Sequence, residues 1–291
     1  MPIALGTPTY VGLSANTGTG SYNGLQWGPG THFHISAINL DDLPSMRSND
    51  SPRPLDPGTF SGFDFPDGRT FNLDVTIISD DNATYHTDLA ALQRAFVPLQ
   101  SSTLPMLLFN SQRLINCRVR QRAVPYDATY QQRVVVASFQ MFAPDPRVYD
   151  AALQTLSCGL ANAGSGFAFP IVWPISFGTG PIGGSFQVTN LGNFGSRPVF
   201  TITGPVTNPN IQNASSGQEL AFNIDLADGD SLVIDTDARS IVLNGTAGRR
   251  NALTASSQWF ELAPGISTIE FQAFSSSASP TLQMTASSAW I

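Results

Sequence analysis

Lysine is missing from this chain of 291 residues, since all 14 basic side chains are arginine, and 18 of its 21 acids are aspartate. We read that bias as codon preference rather than chemistry. Charge of either sign is scarce: charged residues make up 12% of the chain, about half the usual share for a soluble globular protein. With 42% hydrophobic residues beside it, this composition excludes a disordered polymer. A formal net charge of −7 argues against a general nucleic-acid binder, which needs a basic excess to neutralise phosphate. The imbalance is spread along the chain: residues 1–150 hold ten arginines against thirteen aspartates, and residues 151–291 four arginines against eight acids. Neither half is a basic module.

Long apolar runs are lacking as well. The longest, Phe167–Phe177, is interrupted by Pro170 and Pro174 and falls far short of the roughly 20 residues that a spanning helix needs. The opening Met1-Pro2-Ile3-Ala4-Leu5-Gly6 shows neither a positive region nor a continuous apolar core of a secretory signal, so a protein made and kept in a cytoplasm is expected. Two cysteines, Cys117 and Cys158, are too few for a disulfide scaffold or a cysteine-ligated zinc site. They read as small buried apolar residues. No nucleophile elbow, Walker loop, dinucleotide fingerprint or H-E-x-x-H motif occurs, and no cofactor is implied.

At roughly 100–200 residues per domain the length predicts two domains. One long helix is expected between Asp81 and Val97: Leu89, Leu92 and Phe96 recur at helical spacing, Asp81 or Thr84 offers a cap, and Pro98 a stop. The rest alternates in short runs broken by Gly, Pro, Asn and Asp, the pattern of antiparallel β-structure. Strands are expected over Leu104–Phe109, Leu114–Val124 and Tyr130–Phe142, the last two forming a long hairpin. With period two, Ile115, Cys117, Val119 and Ala123 share one face of it, and Asn116, Arg118, Arg120 and Arg122 the other. Past Pro144 and Pro146, residues 151–184 read as a Gly- and Pro-rich linker or first strands. Eight strand candidates then follow: Phe186–Thr189, Val199–Thr203, Leu220–Leu226, Leu232–Ile234, Ile241–Leu243, Trp259–Leu262, Thr268–Phe274 and Leu282–Thr285. That half, residues 185–291, is expected to be a jelly-roll type β-sandwich.

Candidate chemistry is sparse. His32 and His34 lie two apart on an expected strand and would share a face, yet the one other histidine is His86 on the helix, so a metal site would have to recruit aspartate. The pairs Asp41-Asp42, Asp80-Asp81, Asp228-Asp230 and Asp235-Asp237 suit acid–base catalysis or Ca²⁺. Each also sits where aspartate bonds its own backbone in turns and caps, so no catalytic or metal residue is assigned. The stripe Arg118, Arg120, Arg122 reads equally as a contact for an acidic partner or as a solvated strand face.

Several segments, in order, resemble the distal tail proteins, or tail hubs, of long-tailed siphovirus-type bacteriophages. They are Leu43-Pro44-Ser45-Met46-Arg47, Gly68-Arg69-Thr70-Phe71-Asn72-Leu73, the helix end Leu92–Pro98 and the arginine-rich hairpin closing on Phe142-Ala143-Pro144-Asp145-Pro146. In the second half Asn190–Asn193, Arg197–Pro205, Leu226–Thr236 and Leu262–Gly265 continue the likeness. The stretch Ser14–Gly30, rich in Gly, Thr and Asn, fits the pattern poorly. The resemblance implies a mainly β protein whose N-terminal β-domain, with one helix and a long hairpin, closes into a hexameric ring. A galectin-like C-terminal sandwich would lie outside the ring. It implies a structural virion protein of the phage tail, not an enzyme, assembled in the host cytoplasm. Its partners would be its own copies, the tail tube protein and tail-tip or baseplate proteins, with no membrane and no sequence-specific nucleic acid. Low charge suits a subunit that buries surface against neighbours, and an acidic balance suits a channel that lets DNA pass. Arg118, Arg120 and Arg122 are then expected at a subunit interface. The alternative is a carbohydrate-binding protein whose sandwich stacks sugar on exposed Trp173, Trp259 or Trp290.

Overall fold

The computed structural model describes residues 18–98, 103–109, 112–126, 128–160, 184–275 and 280–291. Trp173, the run Phe167–Phe177 and most of the expected linker lie outside them. Among the described residues the protein is mainly β, with the α-helix α1 (Asn82–Ala95) and two short 3₁₀ turns. Backbone contacts divide it into two compact units, Met1–Ala151 with Ile291, and Ala152–Trp290.

The first unit is built on one antiparallel sheet. Its strands are β1 (Gly20–Tyr22), β2 (Leu25–Trp27), β3 (Phe33–Ile38), β8 (Arg69–Ile78), β9 (Leu104–Leu108), β10 (Arg113–Ala123) and β11 (Val134–Ala143), in the order β2-β1-β9-β10-β11-β8-β3. Between β3 and β8 lie four short strands, β4 (Met46–Ser48), β5 (Ser51–Pro52), β6 (Thr59–Phe60) and β7 (Asp64–Pro66); β4 pairs only β7, and β5 only β6. A short β12 (Val148–Asp150) pairs the start of β10. Period two puts Phe71, Leu73, Val75 and Ile77 of β8 on the same side as Val135, Ala137, Phe139 and Met141 of β11, all buried. Helix α1 covers that side with Tyr85, Leu89 and Leu92, and Phe96 stacks on Phe139 at 4.0 Å between ring centres. Asp81 is the helix cap, accepting from the Thr84 backbone N–H at 2.9 Å.

The second unit is a pair of sheets around one core. One carries β13 (Gln154–Gly159), β23 (Thr281–Ala286), β15 (Val199–Thr203), β19 (Ser231–Asp235), β20 (Ser240–Leu243) and β21 (Ala247–Gly248), in that order. The other carries β14 (Ser185–Asn190), β22 (Gly265–Ser275), β16 (Val206–Asn213) and β17 (Gln218–Ala221), with β18 (Asp225–Leu226) also on β16. Alternate residues of both sheets, among them Phe200, Ile202, Ile211, Leu220, Leu232, Ile234, Phe271 and Met284, meet in a single buried cluster. The fold class expected from the sequence, mainly β with one helix, holds.

Three expected strands change. Tyr130–Phe142 begins only at Val134, because Ala128–Gln132 forms a 3₁₀ turn. Leu220–Leu226 breaks into β17 and β18, with Phe222 held between them by an isolated bridge to Leu253. Trp259–Leu262 is not a strand; Phe260 and Leu262 are buried, but only Leu262 pairs, with Ser196. Their alternation serves core packing without a ladder.

Candidate functional site

The arginine stripe is the first feature to place. β10 pairs β11 with Arg118 opposite Phe142 and Val119 opposite Met141, but the next partners are Gln121 with Gln140 and Arg122 with Phe139. Arg120 is thus an extra residue, a bulge, and beyond it every side chain changes face. Arg118 and Arg120 stay on the side away from α1, their guanidinium carbons 5.6 and 3.6 Å from the centre of the Phe142 ring. Arg122 comes round to the helix side, opposite buried Phe139. There it donates to the carbonyls of Gln93 at 2.7 Å and Phe96 at 3.3 Å, the orphan acceptors of a helix end that attract a cation. The single arginine face expected from period two is therefore corrected: the bulge divides it, and Ala123 leaves the buried side, standing opposite exposed Ser138.

Residues 43–67 form an arm. Its paired strands make ladders only with each other, and its large apolar side chains are in solvent: Leu55 is 96% exposed, Phe63 82% and Leu43 74%, with Met46, Phe60 and Phe65 above half. Arg47 sits over Phe65 and Arg53 over Phe60. A two-stranded ribbon of this kind is marginal by itself in water, and a run of exposed large apolar groups marks an interaction surface. At the root of the arm, Arg69 is buried. It donates to the carbonyls of Pro146 at 3.0 Å, Asp42 at 3.1 Å and Leu40. Burial pushes the Arg69 pKa down, and the charges of Asp41 and Asp42 oppose that. Sequence reasoning missed both arm and clamp; the one available signal was Arg69 followed by an apolar alternation with no acid beside it.

The histidines do not share a strand face. His32 precedes β3 and turns to α1, with Nδ1 2.7 Å from Asp88 Oδ2, an oxygen that also accepts from Ser79 at 2.6 Å. His34 lies within β3, half-buried, its pKa lowered by desolvation and then by His32. Among the described residues no three His, Cys, Asp or Glu side chains converge as metal ligands would. The aspartates bond their own turns: Asp230 accepts from Ala227 N–H and Asn244 Nδ2, and Asp235 from the N–H groups of Asp237 and Ala238. Arg197 joins Asp237 to Glu261, the latter at 2.9 Å. Trp259 is not an exposed platform, since it is half-buried against the sandwich core, and Trp290 is half-buried too.

Residues 191–287 match the family described as siphovirus-type tail component, C-terminal domain. No curated protein matches by sequence. Among solved structures the chain is similar to SPP1 Dit (gp 19.1), described as a paradigm of the hub adsorption apparatus in phages infecting Gram-positive bacteria. The TM-score there is 0.64 at 14% identity, over 92% of this chain and 98% of that one. A chain of the phage P2 baseplate in its activated conformation with Ca is similar with TM-score 0.51 at 9% identity, over 92% and 97%. At these identities the likeness is one of fold. The resemblance to distal tail proteins read from the sequence is borne out, by the family match in the second half and by the fold along nearly all of the chain.

Proposed function

We propose that this chain, whose second half matches the tail-component domain, is a structural hub of a siphovirus-type phage tail, a virion protein joining tube to tip or baseplate. The observation that carries this reading is a Dit-like fold over 92% of the chain, together with the family match over residues 191–287. The role is one of assembly rather than catalysis, with copies of itself, tail tube protein and tail-tip or baseplate proteins as partners. Assembly in the host cytoplasm and a galectin-like character of the sandwich belong to the same reading, as does a domain boundary near residue 150, with β13 (Gln154–Gly159) the first strand beyond it.

The finer part is a closed ring, hexameric by analogy. The arm supports it, because Phe60, Phe63 and Phe65 are displayed in solvent at a cost that a neighbouring subunit would remove. Arg118 and Arg120 are kept in the interface, since they face away from the helix with no carboxylate within ion-pair reach among the described residues. Arg122 is withdrawn from it, being held on the helix end. Light scattering of the purified chain at micromolar concentration tests the ring. A mass near six protomers is expected, falling to monomer in the triple variant Phe60→Ser/Phe63→Ser/Phe65→Ser. A chain that stays monomeric at every concentration and salt, or a triple variant that assembles unchanged, would sink the ring reading.

A further inference from the structure

The register of the first unit's sheet leaves a trough on the side away from α1. Ala123 of β10 stands opposite Ser138 of β11, Ser138 opposite Asp74 of β8, and Asp74 opposite Ala37 of β3. The next row is Gln121, Gln140 and Asn72, again cross-strand partners. Long amides thus fence a row in which Asp74 alone is charged, and a cavity of about 420 Å³ opens along it. The Asp74 carboxylate is half-buried and makes neither a hydrogen bond nor an ion pair among the described residues. The side-chain amides of Asn72, Gln121 and Gln140 make no hydrogen bond there either. One unpaired carboxylate among carbonyl acceptors suits a cation with several N–H donors.

The arm carries such a group at its far end. It is one continuous ribbon. At the root Asp67 N–H donates to Ser45 O at 2.8 Å, and β4 pairs β7 beyond it. The Asp50 carboxylate then accepts from Gly62 N–H at 2.7 Å, β5 pairs β6, and Arg53 N–H closes the tip on Gly58 O at 3.1 Å. Ser45 and Arg53 are eight residues apart, so at about 3.3 Å per residue the tip stands up to about 26 Å from the root. Arg53 is exposed, its guanidinium carbon 5.2 Å from the centre of the Phe60 ring, with no carboxylate in ion-pair reach among the described residues. No described residue of the arm lines the trough of its own chain.

We propose that the arm tip of one copy docks in this trough on the next, with the Arg53 guanidinium forked on the Asp74 carboxylate. The inference rests on the ring reading of the arm and names the surface that receives it. Stacking on Phe60 holds the guanidinium plane and leaves its N–H edge open to a carboxylate. The carbonyl ends of Gln140 and Asn72 accept the donors that remain. Arg47, the arm's other cation, sits over Phe65 in the ladder nearer the root and reaches less far. Nucleic acid is disfavoured because Asp74 repels phosphate. A metal ion is disfavoured because no group of His, Cys, Asp or Glu ligands gathers round Asp74 among the described residues. Arg118 and Arg120 of another copy are the rival occupants, and the test tells them apart.

The full chain carrying Arg53→Cys/Asp74→Cys is oxidised with glutathione disulfide and run on a denaturing gel, with the unmutated chain as the background for Cys117 and Cys158. A ladder of cross-linked copies beyond the dimer is expected, whereas either single variant stops at the dimer at most. Charge reversal reads the same contact by light scattering: Asp74→Arg should weaken assembly by about tenfold or more, and Arg53→Asp/Asp74→Arg should recover most of it. Circular dichroism checks each fold; if Asp74→Arg does not fold, Asp74→Asn takes its place. A hexamer that gives no ladder would overturn this contact and leave the ring standing. A ladder from a chain that scatters as a monomer would support the contact and sink the ring, and the absence of both would sink both. A ladder from Arg120→Cys/Asp74→Cys in place of the Arg53 variant would give the trough to the sheet face of another copy and overturn the proposal.

Discussion

The guanidinium carbon of Arg120 lies 3.6 Å from the centre of the Phe142 ring, while Arg122, two residues on, lies across the sheet on the end of helix α1. Neighbouring arginines in one strand thus do different work, one on an open aromatic face and one on backbone carbonyls.

That separation is measurable. Arg122→Ala removes a charged donor from two helix-end carbonyls and is expected to lower the stability of the first unit by about 0.5–1.5 kcal/mol. Arg118→Ser/Arg120→Ser gives up exposed cation–π contacts of about 0.5–1 kcal/mol each and is expected to act chiefly on assembly. Urea unfolding and light scattering on both variants separate the two effects. Equal loss of assembly in both would return Arg122 to the interface.

Phe96 closes the helix against the sheet, fully buried, stacked on Phe139 and 5.1 Å from the Tyr22 ring centre. Phe96→Ala is expected to cost about 3–5 kcal/mol, seen as a lower urea midpoint for the first unit. A shift below 1 kcal/mol would mean that the helix docks differently.

Acid sensitivity should include the helix start. Hydrogen bonds from Thr84, backbone first, hold the Asp81 carboxyl below its ordinary value. A depressed folded value means that the contribution is complete above the unfolded pKa of about 3.9 and is lost as pH falls through the lower folded one. Asp81→Asn should therefore flatten that part of the stability–pH curve below about pH 4. A curve of unchanged steepness between pH 4 and 2 would contradict the cap.

The two thiols should be silent in the native protein. Burial pushes Cys117 up to about 12 and Cys158 to about 11, and a thiol so far from its thiolate is a poor nucleophile at neutral pH. With one in each unit, alkylation followed through a urea titration is expected to report their opening separately. Coincident labelling of both at every urea concentration would show that the units unfold together.

What the sequence disclosed was mainly local chemistry. The cap Asp81, the apolar spacing to Phe96 and the stop at Pro98 carry the helix within a residue or two, and Val199–Thr203 emerges as written because its alternation is unbroken. The bulge was not legible: Arg120, Gln121 and Arg122 are polar at both parities, so no period is there to slip. β16 escaped notice because Asn208, Pro209 and Asn210 look like a turn, yet Ile211 and Val206 anchor the strand in the core. The arm lacked any pattern, since its strands are two or three residues long and bury nothing.

The bulge also makes two lengths of one strand interchangeable. Removing Arg120 would leave Val119, Gln121 and Arg122 facing Met141, Gln140 and Phe139, the partners that flank it now, in an uninterrupted ladder. Relatives with the shorter strand should then keep a basic residue counted back from the hairpin tip and lose only the arginine nearer the aromatic ring. In an alignment the gap belongs at 120, and a comparison counted forward from the start of the strand would misassign the helix-capping arginine by one place.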